Sequence, residues 1–146
     1  MQKKEYKISI NAPREKVWKT LWDDATYRKW TAVFSEGSNA QSPDTDWKKG
    51  SKILFVDAKG EGMVSRIADV RKNEYMSFEH LGVIKDGVED TSGNEWSGAL
   101  ENYTLKGEGG KTELSVDIDL TDEFVDFFEK TWPQAMNKVK ELAERN

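Results

Sequence analysis

The closing segment, TDEFVDFFEKTWPQAMNKVKELAERN, residues 121–146, constrains this chain more than any other stretch. Phe124, Phe128, Trp132, Ala135, Val139 and Leu142 recur at intervals of four, four, three, four and three, which draws one apolar stripe down a long helix. Thr121 is placed to cap its start, and Asp122 and Glu123 complement the positive end of the helix dipole. Pro133 removes one backbone hydrogen bond and predicts a kink near Glu129. A stripe this long must be covered. The segment before it, KTELSVDIDL, offers a matching surface, because Leu114, Val116, Ile118 and Leu120 alternate with Glu113, Ser115, Asp117 and Asp119 as a half-buried strand should.

The rest of the chain reads as more sheet with little helix. Tyr6, Ile8 and Ile10 share one face of a first strand. Pro13 suits the first position of a helix in which Val17, Trp18, Leu21 and Trp22 form a broad apolar stripe. A second short helix, ATYRKWTAVF, carries Tyr27, Trp30 and Phe34 at spacings of three and four. Residues 35–46 have no apolar period and contain Pro43, so they form a long loop. SKILFVDA and MVSRIADVRK are strands, the second with a bulge where its apolar positions slip parity between Val64 and Ile67. EYMSFEHLGVI puts Met76, Phe78 and His80 on one face, KDGVEDTSGNE is a polar connection, and WSGALENYTLKG pairs with the last strand across Glu108-Gly109-Gly110. One domain, residues 1–146, of the α+β class follows: about six antiparallel strands, two short helices after strand 1, and a long C-terminal helix across the sheet.

Charge and residue usage narrow the chemistry. The net charge is −5 and no basic block follows Lys3-Lys4, which disfavours nucleic acid or an anionic membrane as partner. No apolar run reaches the ~20 residues of a spanning helix, and MQKKEYKISI lacks the apolar core of a signal peptide, so a cytoplasmic protein is expected. The chain has no cysteine, no G-x-S-x-G, no phosphate-binding loop and no H-E-x-x-H, and a single histidine. No cofactor is expected. Asp44-Thr45-Asp46 and Asp117-Ile118-Asp119 are paired acids that read as solvated faces rather than metal ligands.

Four segments in this order carry a resemblance: NAPREKVW from residue 11, Trp30-Thr31, WKKGSKILF from residue 47 and TWPQAMNKVKELAE from residue 131. Together they resemble the START-related, birch-pollen-allergen-like helix-grip superfamily (SRPBCC), in the branch similar to the C-terminal domain of the activator of the heat-shock protein 90 ATPase. The resemblance implies a curved sheet gripping the long helix around a deep pocket. It places Trp18 under the sheet and Trp22 nearer the pocket rim, both as wall.

Within that frame, Trp30, Phe34, Trp47, Phe55, Phe78, Trp96, Phe128 and Trp132 come from every element that could line the pocket. They either surround a small apolar or amphipathic ligand or fill the space themselves. His80 points into the same space, as a polar anchor, as a general acid or base, or as a buried imidazole held by a neighbour. Glu101 and Asn102 are further polar candidates, of which alternation permits only one to face inward. Three functions remain: binding of a small apolar molecule, a chaperone-ATPase-activating module, and a cyclase- or hydrolase-like enzyme using His80.

Overall fold

The structure, a computed structural model, describes residues 1–35, 43, 45–56, 60–92 and 97–145. Strand β1 (Gln2–Ile10) leads into α1 (Arg14–Trp22), α2 (Asp24–Thr31) and a 3-10 turn (Ala32–Ser35). Six strands follow: β2 (Lys52–Val56), β3 (Gly62–Arg71), β4 (Tyr75–Lys85), β5 (Val88–Asp90), β6 (Ala99–Glu108) and β7 (Lys111–Leu120). Helix α3 (Asp122–Glu144) closes the fold and runs through Pro133 as one element.

The sheet is antiparallel throughout, in the order β1-β7-β6-β4-β3-β2, with β5 added to β4. Short-range turn chemistry explains two of these pairings. Gly109 (φ 59°) and Gly110 (φ 82°) are both left-handed, so the β6–β7 hairpin closes on two residues between paired Glu108 and Lys111. Asp86 (φ 51°) and Gly87 (φ 78°) do the same within the stretch expected to be a polar connection. That turn folds Val88–Asp90 back onto Val83–Lys85, adding a seventh strand. Pro13 differs by one position from expectation: it is the residue before α1, extended at φ −70° and ψ 160°.

Register in β3 and β4 breaks twice, between Val64 and Ser65 and between Ile67 and Asp69. The first break leaves Leu81 unpaired on β4 and the second leaves Ala68 unpaired on β3. Between the breaks Ser65 lies opposite His80 and Ile67 opposite Phe78.

Helix α3 packs on β1, α1 and α2, with Trp132, Ala135, Met136, Val139 and Ala143 buried beneath it. Tyr6 stacks on Trp132 at 6.1 Å and 19°, tying β1 to the helix midpoint. On the opposite face of the sheet runs a polar row. Ser77 Oγ donates to Asn102 Oδ1 at 2.5 Å, Asn102 Nδ2 donates to Asp117 Oδ1 at 2.8 Å, and Lys3 bridges Asp117 and Asp119. The paired acids of β7 are thus occupied by a lysine. No helix among the described residues is long and apolar enough to cross a membrane.

Candidate functional site

The middle of the space under α3 is filled by rings. Trp30, Phe78, Tyr103 and Trp132 are 3% exposed or less. Tyr103 lies 6.0 Å from both Phe78 and Trp132, and 6.4 Å from Trp30, all edge-on. Trp22 adds a further edge contact to Tyr103 at 4.9 Å and to Phe78 at 5.5 Å. Edge-to-face rings at 4.5–7 Å are favourable beyond the area they bury. This layer is core.

Toward the N-terminal end of α3 the packing opens into a cavity of about 650 Å³. Its sheet side comes from Met63, Ala99, Ile118 and Leu120, and its helix side from Phe124, Phe127 and Phe128. Val83, Phe124 and Phe127 stand at 39%, 41% and 41% exposure, an unusual set of bare apolar side chains, and together they edge the mouth. The volume falls within the ~300–1,000 Å³ of small-molecule sites.

Three polar residues of the sheet line this cavity: His80 of β4, Glu101 of β6 and Asp119 of β7, whose carboxylate is bound to Lys3 and to the Leu100 N–H. His80 is 5% exposed and both ring nitrogens are engaged: Nδ1 lies 2.6 Å from Ser65 Oγ and Nε2 lies 3.1 Å from Glu101 Oε1. A carboxylate only accepts, so Nε2 donates to Glu101, while the Ser65 hydroxyl, able to donate or accept, meets Nδ1. The second carboxylate oxygen, Oε2, accepts from the Tyr103 hydroxyl. Burial, reinforced by the Glu101 charge, drives the Tyr103 and Tyr27 hydroxyls well above their ordinary range, so both remain protonated donors.

Chemically, Ser65, His80 and Glu101 have the residue types of a hydrolytic triad, but Ser65 is 0% exposed and its oxygen is not open to a substrate in this arrangement. Both His80 nitrogens are bonded, Nε2 to the Glu101 carboxylate and Nδ1 to Ser65. The spare acceptor capacity at the cavity belongs to the carboxylate.

A further polar group was not foreseen as part of the site. Thr121 is the residue before α3, yet its side chain makes no capping bond. It is 7% exposed, it lines the cavity, and its buried Oγ1 has no hydrogen-bond partner among the described residues.

The residues singled out from the sequence are distributed unevenly. His80 and Phe128 line the cavity. Phe34 packs behind Phe128 at 5.9 Å and against Trp132 at 4.9 Å, while Phe55 lies edge-on to Phe78 and His80. Trp30, Phe78 and Trp132 belong to the filled layer. Trp47 sits elsewhere, 5.6 Å from Trp22 in a surface groove it shares with Trp18 and Met76. Trp96 and most of the 35–46 loop lie outside the described residues. Of the alternatives on β6, Glu101 faces the cavity and Asn102 the polar row.

Residues 11–144 match the family described as Activator of Hsp90 ATPase homolog 1-like protein. No curated protein matches the sequence significantly. Among solved structures, protein MLL2253 from Mesorhizobium loti is similar with a TM-score of 0.74 at 16% identity, over 99% of this chain and 98% of that one. The Aha1 dimer from Colwellia psychrerythraea gives a TM-score of 0.72 at 20% identity, over 99% and 97%. CalU16 from Micromonospora echinospora gives 0.67 at 12% identity, over 97% and 76%. At these identities the likeness is one of fold. The family match spans nearly the whole chain, which therefore belongs to the Activator of Hsp90 ATPase homolog 1-like family within the SRPBCC helix-grip superfamily.

Proposed function

We propose that this member of the Activator of Hsp90 ATPase homolog 1-like family binds a small apolar or amphipathic molecule between the sheet and the N-terminal end of α3. The observation that carries this reading is the cavity of about 650 Å³, walled by apolar side chains and bottomed by the His80–Glu101 pair. The site residues are His80, Glu101, Thr121, Phe124, Phe127 and Phe128. A buried ten-carbon chain gains roughly 8 kcal/mol at about 0.8 kcal/mol per methylene, before the ordering costs of association reduce it. The gross figure corresponds to a Kd of about 1 μM, and the ordering costs move the binding to weaker values.

Solvent extraction of natively purified protein followed by mass spectrometry tests whether a guest co-purifies. Val83→Trp, which sets an indole across the mouth at an exposed strand position, should abolish uptake while leaving the fold intact. Uptake that survives this substitution would rule out the cavity as the site.

A second reading is a surface that engages a chaperone ATPase. The family's description and the exposed Val83, Phe124 and Phe127 favour it. Stimulation of a heat-shock protein 90 ATPase that is lost in Phe124→Ser/Phe127→Ser would support it, and an unchanged rate with the wild-type protein would end it.

A further inference from the structure

We infer that the cavity selects a guest whose polar end donates hydrogen bonds, an amine or a hydroxyl, and rejects a carboxylate or phosphate head. The inference rests on the ligand-binding reading above and specifies its chemistry.

Among the described residues lining the cavity there is no lysine and no arginine. Asp119 contributes to the wall, but its carboxylate is bound to Lys3 and to the Leu100 N–H on the far face of the sheet. Glu101 is thus the charge presented to a guest, and its side chain is 15% exposed. His80 and Tyr103 each use one of its oxygens. Each carboxylate oxygen can accept twice, so acceptor positions remain open while the two donors around it are already committed. A donor head gains a charge-assisted bond there, and an anionic head meets like charge with no counter-cation.

One further feature points the same way. Phe124, Phe127 and Phe128 line the same space, and the face of an aromatic ring attracts a cation. Thr121 Oγ1, buried and without a partner among the described residues, both donates and accepts, so it can serve a guest's polar end without choosing its type. The opposing feature is the positive end of the α3 dipole, which favours anions. Its first turn already holds Asp122 and Glu123, so that field is answered within the helix.

Titration of the full chain with decylamine, 1-decanol and decanoate, each below its micelle concentration and at 0.15 M salt, tests the inference by calorimetry. The expected order is decylamine, then decanol, then decanoate, with at least a tenfold difference between the first and the last. The net charge of −5 also draws amines to the surface, so Glu101→Gln serves as the control. It removes one local charge, and the amine-to-carboxylate ratio should collapse toward unity while decanol still binds. Decanoate binding as tightly as decylamine, or a ratio unchanged in Glu101→Gln, overturns this inference alone. Binding of none of the three overturns the cavity reading together with it.

Discussion

Ser65 and His80 stand directly opposite each other on β3 and β4, and their side chains meet at 2.6 Å between Oγ and Nδ1. The pair exists because the register break at Leu81 shifts β4 by one residue just beyond it. Ser65→Ala removes the partner of a buried ring nitrogen. A loss of about 1–3 kcal/mol is expected from the urea midpoint, and the freed ring should reorient away from Glu101 in histidine NMR spectra.

Trp132 and Phe127 separate core from cavity rim. Trp132 is 3% exposed and contacts Tyr6, Trp30, Phe34 and Tyr103. Trp132→Ala should cost about 3–5 kcal/mol, a large share of a typical domain's stability. Phe127→Ala, at 41% exposure, should change stability by no more than about 0.5 kcal/mol while weakening guest uptake. Denaturant titration beside the calorimetry resolves the two.

Gly62 begins β3 where a side chain has no room. A Cβ there would lie 1.7 Å from the Phe55 carbonyl oxygen, which is backbone and cannot swing aside. Gly62→Ala should push β2 away from β3 and destabilise by about 1–3 kcal/mol, with faster amide exchange along Lys52–Val56 as the local signature.

Alkaline pH should unfold the protein through its tyrosines. Tyr27 and Tyr103 are held protonated by burial and by the Glu101 charge, and Tyr6 is pushed up to about 12 by burial and by Glu129. In the unfolded chain these groups ionise near pH 10. The folded state therefore keeps protons that the unfolded state releases. Stability is full below about pH 10 and falls as pH rises beyond it. Absorbance at the tyrosinate band should show Tyr27 and Tyr103 ionising only as near-UV circular dichroism collapses.

The helices and most strands were legible because their information is local. The stripe from Phe124 to Leu142 and the alternation from Leu114 to Leu120 require no knowledge of partners. The bulge near Val64 was visible as a parity slip. The β5 strand escaped because Val88–Asp90 is short and exposed, although the Asp86-Gly87 turn that creates it is a standard hairpin signal. The site was harder. Whether Glu101 or Asn102 faces the helix depends on Phe78 lying opposite Glu101, a register set between strands more than twenty residues apart. Thr121 looked like a helix cap, and only its missing capping bond reveals a hydroxyl left over for the cavity. The division of the aromatic set into filler and wall likewise follows from long-range packing that spacing does not encode.

The filled layer of Trp30, Tyr103 and Trp132 lies beside a hollow edged by Val83 and Phe127. A chain lying along that hollow would meet Glu101, which backs onto Tyr103. Such a space works as a ruler: in a homologous series each added carbon would tighten the fit until the chain runs out of depth, after which the excess would trail into water.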